Sequence, residues 1–224
     1  MIDPNENKAN DQSVDEQQRS SMTVVSITGG IGSGKTAVAQ IARDLGFTVI
    51  SSDDKAKELM GSNPEVMSEL VDEFGAGTYL PDGKLNSTFI AGIVFADDEN
   101  AAKSLAKLNS IVHPRVIQSM INETARYEEQ GEKLLFVESA LVFEAELEDG
   151  FDYIIVVDAS EDISIERVMK RSGLTSKQVQ RRIDEQIPRS EKKAYADFVI
   201  SNNGSVDDLK KSATMIINII SQIA

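Results

Sequence analysis

The chain has 224 residues, 41 % of them hydrophobic, enough to bury one large core and to set a single domain with appendages as the expectation. It contains no cysteine, which excludes disulfides, thiolate metal sites and a cysteine nucleophile and makes a reducing cytoplasm the expected compartment. The formal net charge of −14 argues against non-specific nucleic-acid binding, and no apolar run approaches the ~20 residues of a membrane span.

Residues 1–21 hold almost no large apolar side chain and no periodicity, which is the composition of a disordered tail or an added extension, with Met22 a candidate start. Val24 to Ile27 then reads as a buried strand. Residues 29–36, G-G-I-G-S-G-K-T, follow it directly and fit the phosphate-loop pattern G-x-x-x-x-G-K-[ST] at a strand-to-helix junction. Backbone N–H groups and the positive end of the following helix converge there on one point, where a multiply charged phosphate replaces water. The expected cradle for ATP is Gly30, Gly32, Ser33, Gly34, Lys35, Thr36 and Ala37. Lys35 reaches the β- and γ-phosphates, and the Thr36 hydroxyl completes a Mg²⁺ shell built mainly of phosphate oxygens and water. A glycine-rich turn that binds nothing is the alternative; four fixed positions in the right setting weigh against it.

The periodicity predicts a helix over residues 35–45, with Val38, Ile41, Ala42 and Leu45 on one face and Gly46 at its end. A second strand over 47–50 runs into Ser51-Ser52-Asp53-Asp54, where the carboxyl ends of parallel strands meet ligands. From Lys55 to Gly131 the chain reads as a helical insert, too long to be a loop. Asn63-Pro64 opens one helix, with Val66, Met67, Leu70, Val71 and Phe74 as its apolar stripe. Asp72 and Gly75 match D-x-x-G but fall at the end of that helix. Residues 101–127 are helix-periodic, with a kink or boundary expected at His113-Pro114. Two near-continuous apolar runs, 134–137 and 153–157, predict strands covered on both faces, and 198–200 a fifth. Thr175-x-x-Gln178 and Ser205-x-x-Asp208 have the form of capping boxes, the second opening a C-terminal helix from Val206. Between Arg167 and Lys193 lie nine basic residues against three acidic ones, a basic island in an acidic chain. It reads either as a solvated helix face or as an arginine-rich flap hinged at Gly173.

The guanine-selecting N-K-x-D signature is absent. A small core, a helical insert after the second strand and a basic flap suit a small-molecule kinase, which needs a site for ATP, a site for the acceptor and a lid against water. A nucleoside or nucleotide kinase, a regulatory ATPase and a noncatalytic binding module are the competing readings.

Nearly the full length after Met22 resembles the dephospho-CoA kinases. The resemblance is carried by T-G-G-I-G-S-G-K-T at 28–36, V-I-x-x-D at 49–53, Asp82-Gly83-Lys84-Leu85 with Ile93-Val94-Phe95, Leu108-Asn109, His113-Pro114, and Leu141-Val142-Phe143-Glu144. Arg167, Arg171, Arg182-Ile183-x-x-Gln186, Ala196-Asp197 and Asn202-Asn203-Gly204 complete it. It implies an α/β fold: a three-layer α/β/α P-loop kinase with a parallel five-stranded sheet, a helical substrate-binding insert and a small helical lid. The implied division is a core of 22–54, 132–170 and 194–224, an acceptor-binding insert of 55–131 and a lid of 171–193. The implied reaction is ATP-dependent phosphorylation of the ribose 3′-hydroxyl of dephospho-CoA, by a cytoplasmic monomer or weak homo-oligomer without nucleic-acid or membrane partners. Asp53 is the implied base, capping of the helix near Asp54 being its alternative role. Arg171 and Arg182 are the implied phosphate contacts, and Lys57, His113 and Arg167 the implied acceptor contacts; a structural role is the alternative for His113, and pairing within its own helix for Arg167. Glu138 and Glu144 hold Mg²⁺ through water or serve as ordinary solvated or capping residues. The sequence departs from the family at Ser51, where an aspartate is usual, at Ser87, near a usual arginine, and at Ala140, a usual proline.

Overall fold

The computed structural model describes residues 22–96 and 98–224; the expected tail, 1–21, lies outside them. Five parallel strands form one sheet in the order β2-β3-β1-β4-β5. They are β1 (Thr23–Thr28), β2 (Thr48–Ser51), β3 (Leu134–Glu138), β4 (Tyr153–Asp158) and β5 (Phe198–Ser201). Side chains alternate across each strand. Val25, Ile27, Leu134, Phe136, Ile155, Val157 and Ile200 therefore face α1 (Lys35–Asp44) and α9 (Val206–Ile223) in one core layer. On the other face Val24, Ile50, Leu135 and Val137 pack under Met120 and Tyr127 of α5 (Ala101–Glu129). Ile154 and Val156 meet Phe143, Ile187 and Ala196. Helices cover both faces, as the apolar strand runs require.

The segment between β2 and β3 is helical, as expected: α2 (Ser52–Ser62), α3 (Pro64–Phe74), α4 (Ser87–Val94) and α5, with one isolated antiparallel bridge between Tyr79 and Leu85. Asn63 Oδ1 caps α3 by accepting from Glu65 N and Val66 N, with Pro64 at the first helical position. Val66 and Leu70 are buried, whereas Val71, expected in the stripe, is exposed. Of the kink or helix boundary expected at His113-Pro114, the boundary is absent: α5 continues through Pro114. A proline inside a helix costs about 3 kcal/mol. Val112 and Val116 flank it and pack with Val66 and Leu70, and burial of about 1.5–3 kcal/mol for each such side chain outweighs that cost.

After β4, α6 (Glu161–Ser172) ends at Gly173, whose φ of 68° gives a left-handed cap. Then come α7 (Ser176–Asp184) and α8 (Arg189–Ala194). Both anticipated capping boxes form, Thr175 with Gln178 and Ser205 with Asp208. Among the described residues no helix is long and apolar enough to cross a membrane.

Candidate active site

In the order β2-β3-β1-β4-β5 the connection from β1 runs to one side, to β2, and that from β3 runs to the other, to β4, which opens a crevice at the carboxyl edge of the sheet, where open α/β sheets bind ligands. The glycine-rich loop fills that edge. Gly34 precedes α1 with a φ of 101°, and a Cβ there would stand 2.2 Å from Asn202 Nδ2; at Gly32, with φ 75°, it would stand 2.5 Å from Ser164 O. Both positions therefore need glycine for conformation and for space. Asn202, buried just after β5, donates from Nδ2 to Ser33 O at 2.7 Å, and Arg167 Nη2 donates to Asn202 Oδ1 at 3.3 Å. From the other side Gln186 Oε1 accepts from Ile31 N at 2.9 Å. Side chains remote in sequence thus brace the loop around the start of α1, whose positive end faces the crevice.

Lys35, the first residue of α1, is half-buried. Burial pushes its pKa down, the nearby carboxylates of Asp53 and Glu138 push it back up, and the cations Lys192 and Arg171 push it down again. These five charged groups share one field. Asp53 is exposed in the first turn of α2, but the cap of that helix is Ser51, whose Oγ accepts from Asp54 N at 3.3 Å. The alternative of Asp53 as a cap is therefore corrected: Ser51 does the capping, and Asp53, inside the first turn, adds its negative charge to the field at Lys35. Glu138, 4 % exposed, is the last residue of β3 rather than a residue beyond it, and accepts from Thr36 Oγ1 at 2.5 Å. A hydroxyl and a carboxylate are hard oxygen donors of the kind Mg²⁺ takes. Among the described residues no three acidic, His or Cys side chains converge, and Mg²⁺ beside phosphates needs only one or two protein ligands.

The remaining sequence-derived candidates are distributed unevenly. Arg171 lies in the field of Lys35. Arg182 places its guanidinium 3.8 Å from the centre of the Phe95 ring, which ties α7 to the end of α4; burial lowers its pKa, with Arg171 adding to the effect. Arg167 sits behind the loop on Asn202. Lys57 forms an exposed pair with Asp54 at 3.1 Å, and Ala37 is exposed in the first turn of α1. His113 is half-buried in the middle of α5, and desolvation holds its pKa below the ordinary 6.5. Glu144 is engaged by Lys192 Nζ at 2.7 Å and Ile187 N at 3.3 Å, which leaves the oxygen beside Thr36 to Glu138. The loop-bracing contacts of Gln186 and Asn202, and the burial of Lys192, have no local signal in the sequence. Each joins residues more than forty positions apart.

A family profile described as dephospho-CoA kinase matches residues 23–208. A dephospho-CoA kinase of Corynebacterium glutamicum is 36 % identical over 202 residues, covering 90 % of this chain and 100 % of the relative. A crystal structure of the TT1252 protein of Thermus thermophilus superposes with a TM-score of 0.71 at 31 % identity, over 91 % of this chain and 98 % of that one. A dephospho-CoA kinase from Campylobacter jejuni superposes with a TM-score of 0.65 at 26 % identity, over 89 % and 97 % of the two chains. With the braced phosphate loop, the parallel sheet and near-complete mutual coverage of these relatives, the chain belongs to the dephospho-CoA kinase family.

Proposed function

We propose that the chain transfers the γ-phosphoryl group of ATP to the ribose 3′-hydroxyl of dephospho-CoA, giving coenzyme A and ADP, with Asp53 as the base. One observation carries the residue assignment: Asp53, exposed at the first turn of α2 and free of capping duty, adds a negative charge to the field at the phosphate-loop lysine, opposing the lowering of its pKa by burial. In that reading the backbone of residues 30–37 and Lys35 hold the triphosphate. The acceptor hydroxyl donates its hydrogen bond to Asp53, its oxygen forms the new bond to the γ-phosphorus, the bond to the β–γ bridging oxygen breaks, and the proton passes to the carboxylate. Thr36 and Glu138 are the residues that would hold Mg²⁺, and a bound Mg²⁺ would neutralise charge on the phosphate oxygens. The transition state asks mainly for positioning and electrostatics, which a braced loop and fixed cations supply.

Residues 55–131 form the acceptor side in this assignment, with Lys57 and His113 as contacts, and 171–193 the lid that brings Arg171 and Arg182 to the phosphates, Arg182 leaving its stack on Phe95 to do so. Arginine suits that task because its planar donors match phosphate oxygens and stay charged. Arg167, bonded to Asn202, braces the nucleotide side. The proposed setting is the cytoplasm, as a monomer or weak homo-oligomer.

A coupled ADP-release assay with Mg-ATP and dephospho-CoA beside adenosine, AMP and shikimate tests the reading. The expected result is acceptor-dependent ADP with dephospho-CoA alone. ADP release that is independent of acceptor, or that follows another acceptor, contradicts it.

A further inference from the structure

A buried ammonium on α8 has no assigned task. Lys192 is 2 % exposed, and the partner of its Nζ among the described residues is Glu144 Oε1 at 2.7 Å, one acceptor for three N–H donors. Glu144 is equally incomplete: Oε1 also accepts from Ile187 N at 3.3 Å, and Oε2 is buried without a partner among the described residues. A buried ion pair is not needed for stability, since apolar side chains of similar size pack as well or better. The pair also has a particular location. Lys192 lines a cavity of about 430 Å³ whose other walls include Gly30, Ile31 and Ser33 of the phosphate loop and Gln186. Its charge reaches Lys35 in the same way as that of Arg171.

We infer that Lys192 is a further catalytic residue, a cation that donates to phosphoryl oxygens of the bound triphosphate as charge builds there, with Glu144 as the positioning residue that holds it at the mouth of the loop. The inference rests on the reading of this site as a phosphoryl-transfer centre. The chemistry is that of the incomplete donor set: two N–H groups of a desolvated ammonium beside the loop match the oxygens of a polyphosphate, and removal from water strengthens the attraction. Glu144 holds the ammonium in place while the site is empty. An ordinary salt bridge that fastens α8 to the core would serve stability alone, and this difference can be measured.

Lys192→Met leaves the Glu144 carboxylate buried and unpaired, so that variant should lose both stability and activity. The decisive variant is Lys192→Met combined with Glu144→Gln, which removes both charges. The expected outcome is a melting temperature restored to near the wild-type value, with kcat still about ten- to a hundredfold lower and KM for the acceptor little changed, the loss expected for one charge-assisted hydrogen bond to the reacting group. Recovery of wild-type kcat along with stability would overturn the inference and leave a structural pair. A second readout uses the intact enzyme, with ¹⁵Nζ-lysine resonances followed during titration with a non-hydrolysable Mg-triphosphate analogue and Lys192 assigned through Lys192→Arg. The Lys192 signal should move together with that of Lys35, and a fixed Lys192 signal beside a moving Lys35 signal would refute the inference. Failure of the underlying reading looks different, because wild-type enzyme would then release no ADP on addition of dephospho-CoA.

Discussion

Gly34 and Gly46 both have left-handed backbone, with φ of 101° and 92°, but of the two only Gly34 is hemmed in, since nothing among the described residues lies within 4 Å of where a Cβ would stand at Gly46. Alanine at either position carries a conformational cost of about 1–2 kcal/mol. At Gly34 it also displaces the Asn202 amide that holds Ser33 O. Gly46→Ala should therefore lower stability and leave nucleotide binding intact, while Gly34→Ala should weaken Mg-ATP binding tenfold or more by calorimetry. Equal affinities in the two variants would show that the brace behind the loop is dispensable. His113 supports a second prediction. Its pKa in the folded protein lies below the ordinary 6.5 because burial disfavours the imidazolium. As pH falls through 6.5 the unfolded chain takes up that proton first, so folding loses stability until the lower folded-state pKa is passed. Denaturant unfolding between pH 7.5 and 5 should show a steeper loss for wild type than for His113→Gln, and parallel profiles would contradict the lowered pKa of this half-buried imidazole.

At the scale of elements, helix caps test which helices carry the fold. Losing a Ser or Thr cap costs about 1 kcal/mol. α9 buries Leu209, Ala213, Ile216, Ile217 and Ile220 in the main core, whereas α7 buries Val179 alone. Ser205→Ala should thus lower the global melting temperature, and Thr175→Ala should leave it nearly unchanged while speeding amide exchange within α7. A global loss of similar size from Thr175→Ala would mean that α7 is part of the cooperative unit. Both boxes are legible in the sequence because a cap involves residues three apart, and the central strands β1, β3 and β4 are legible because burial on two faces writes an apolar run. α8 is not: its six residues are too short for a periodic signal, and it is fixed by Arg189 and Lys193 on Asp158 and by Lys192 on Glu144. The continuity of α5 through Pro114 escapes a sequence reading for a related reason, because local proline geometry is outweighed by the packing of Val112 and Val116 against another helix.

Across the whole molecule the basic island resolves into distinct tasks. Arg189 Nη2 stands 2.7 Å from Asp158 at the end of β4, Lys192 stands 2.7 Å from Glu144 after β3, and Arg182 stacks on Phe95 at the end of α4. The segment read as a flap is therefore anchored at α8 and meets the helical insert through α7, which is not what a free solvated face would do. The phosphate loop and the position of Asp53 are legible from the amino acids alone, since both sit at strand ends and obey local chemistry. The mutual arrangement of Asp53, Glu138, Arg171 and Lys192 around Lys35 is not, because it depends on the strand order that brings β2, β3 and the segment after β4 to one edge.

Phosphoryl transfer by Asp53→Asn in a single turnover is the most direct test of this arrangement, with Mg-ATP affinity measured on the same sample. The amide keeps the shape and the Ser51 cap of α2 while removing the base, so transfer to dephospho-CoA should slow by about a hundredfold or more, with Mg-ATP affinity within about twofold of wild type. Transfer at the wild-type rate, or a parallel loss of Mg-ATP binding, would contradict Asp53 as the group that faces the acceptor hydroxyl.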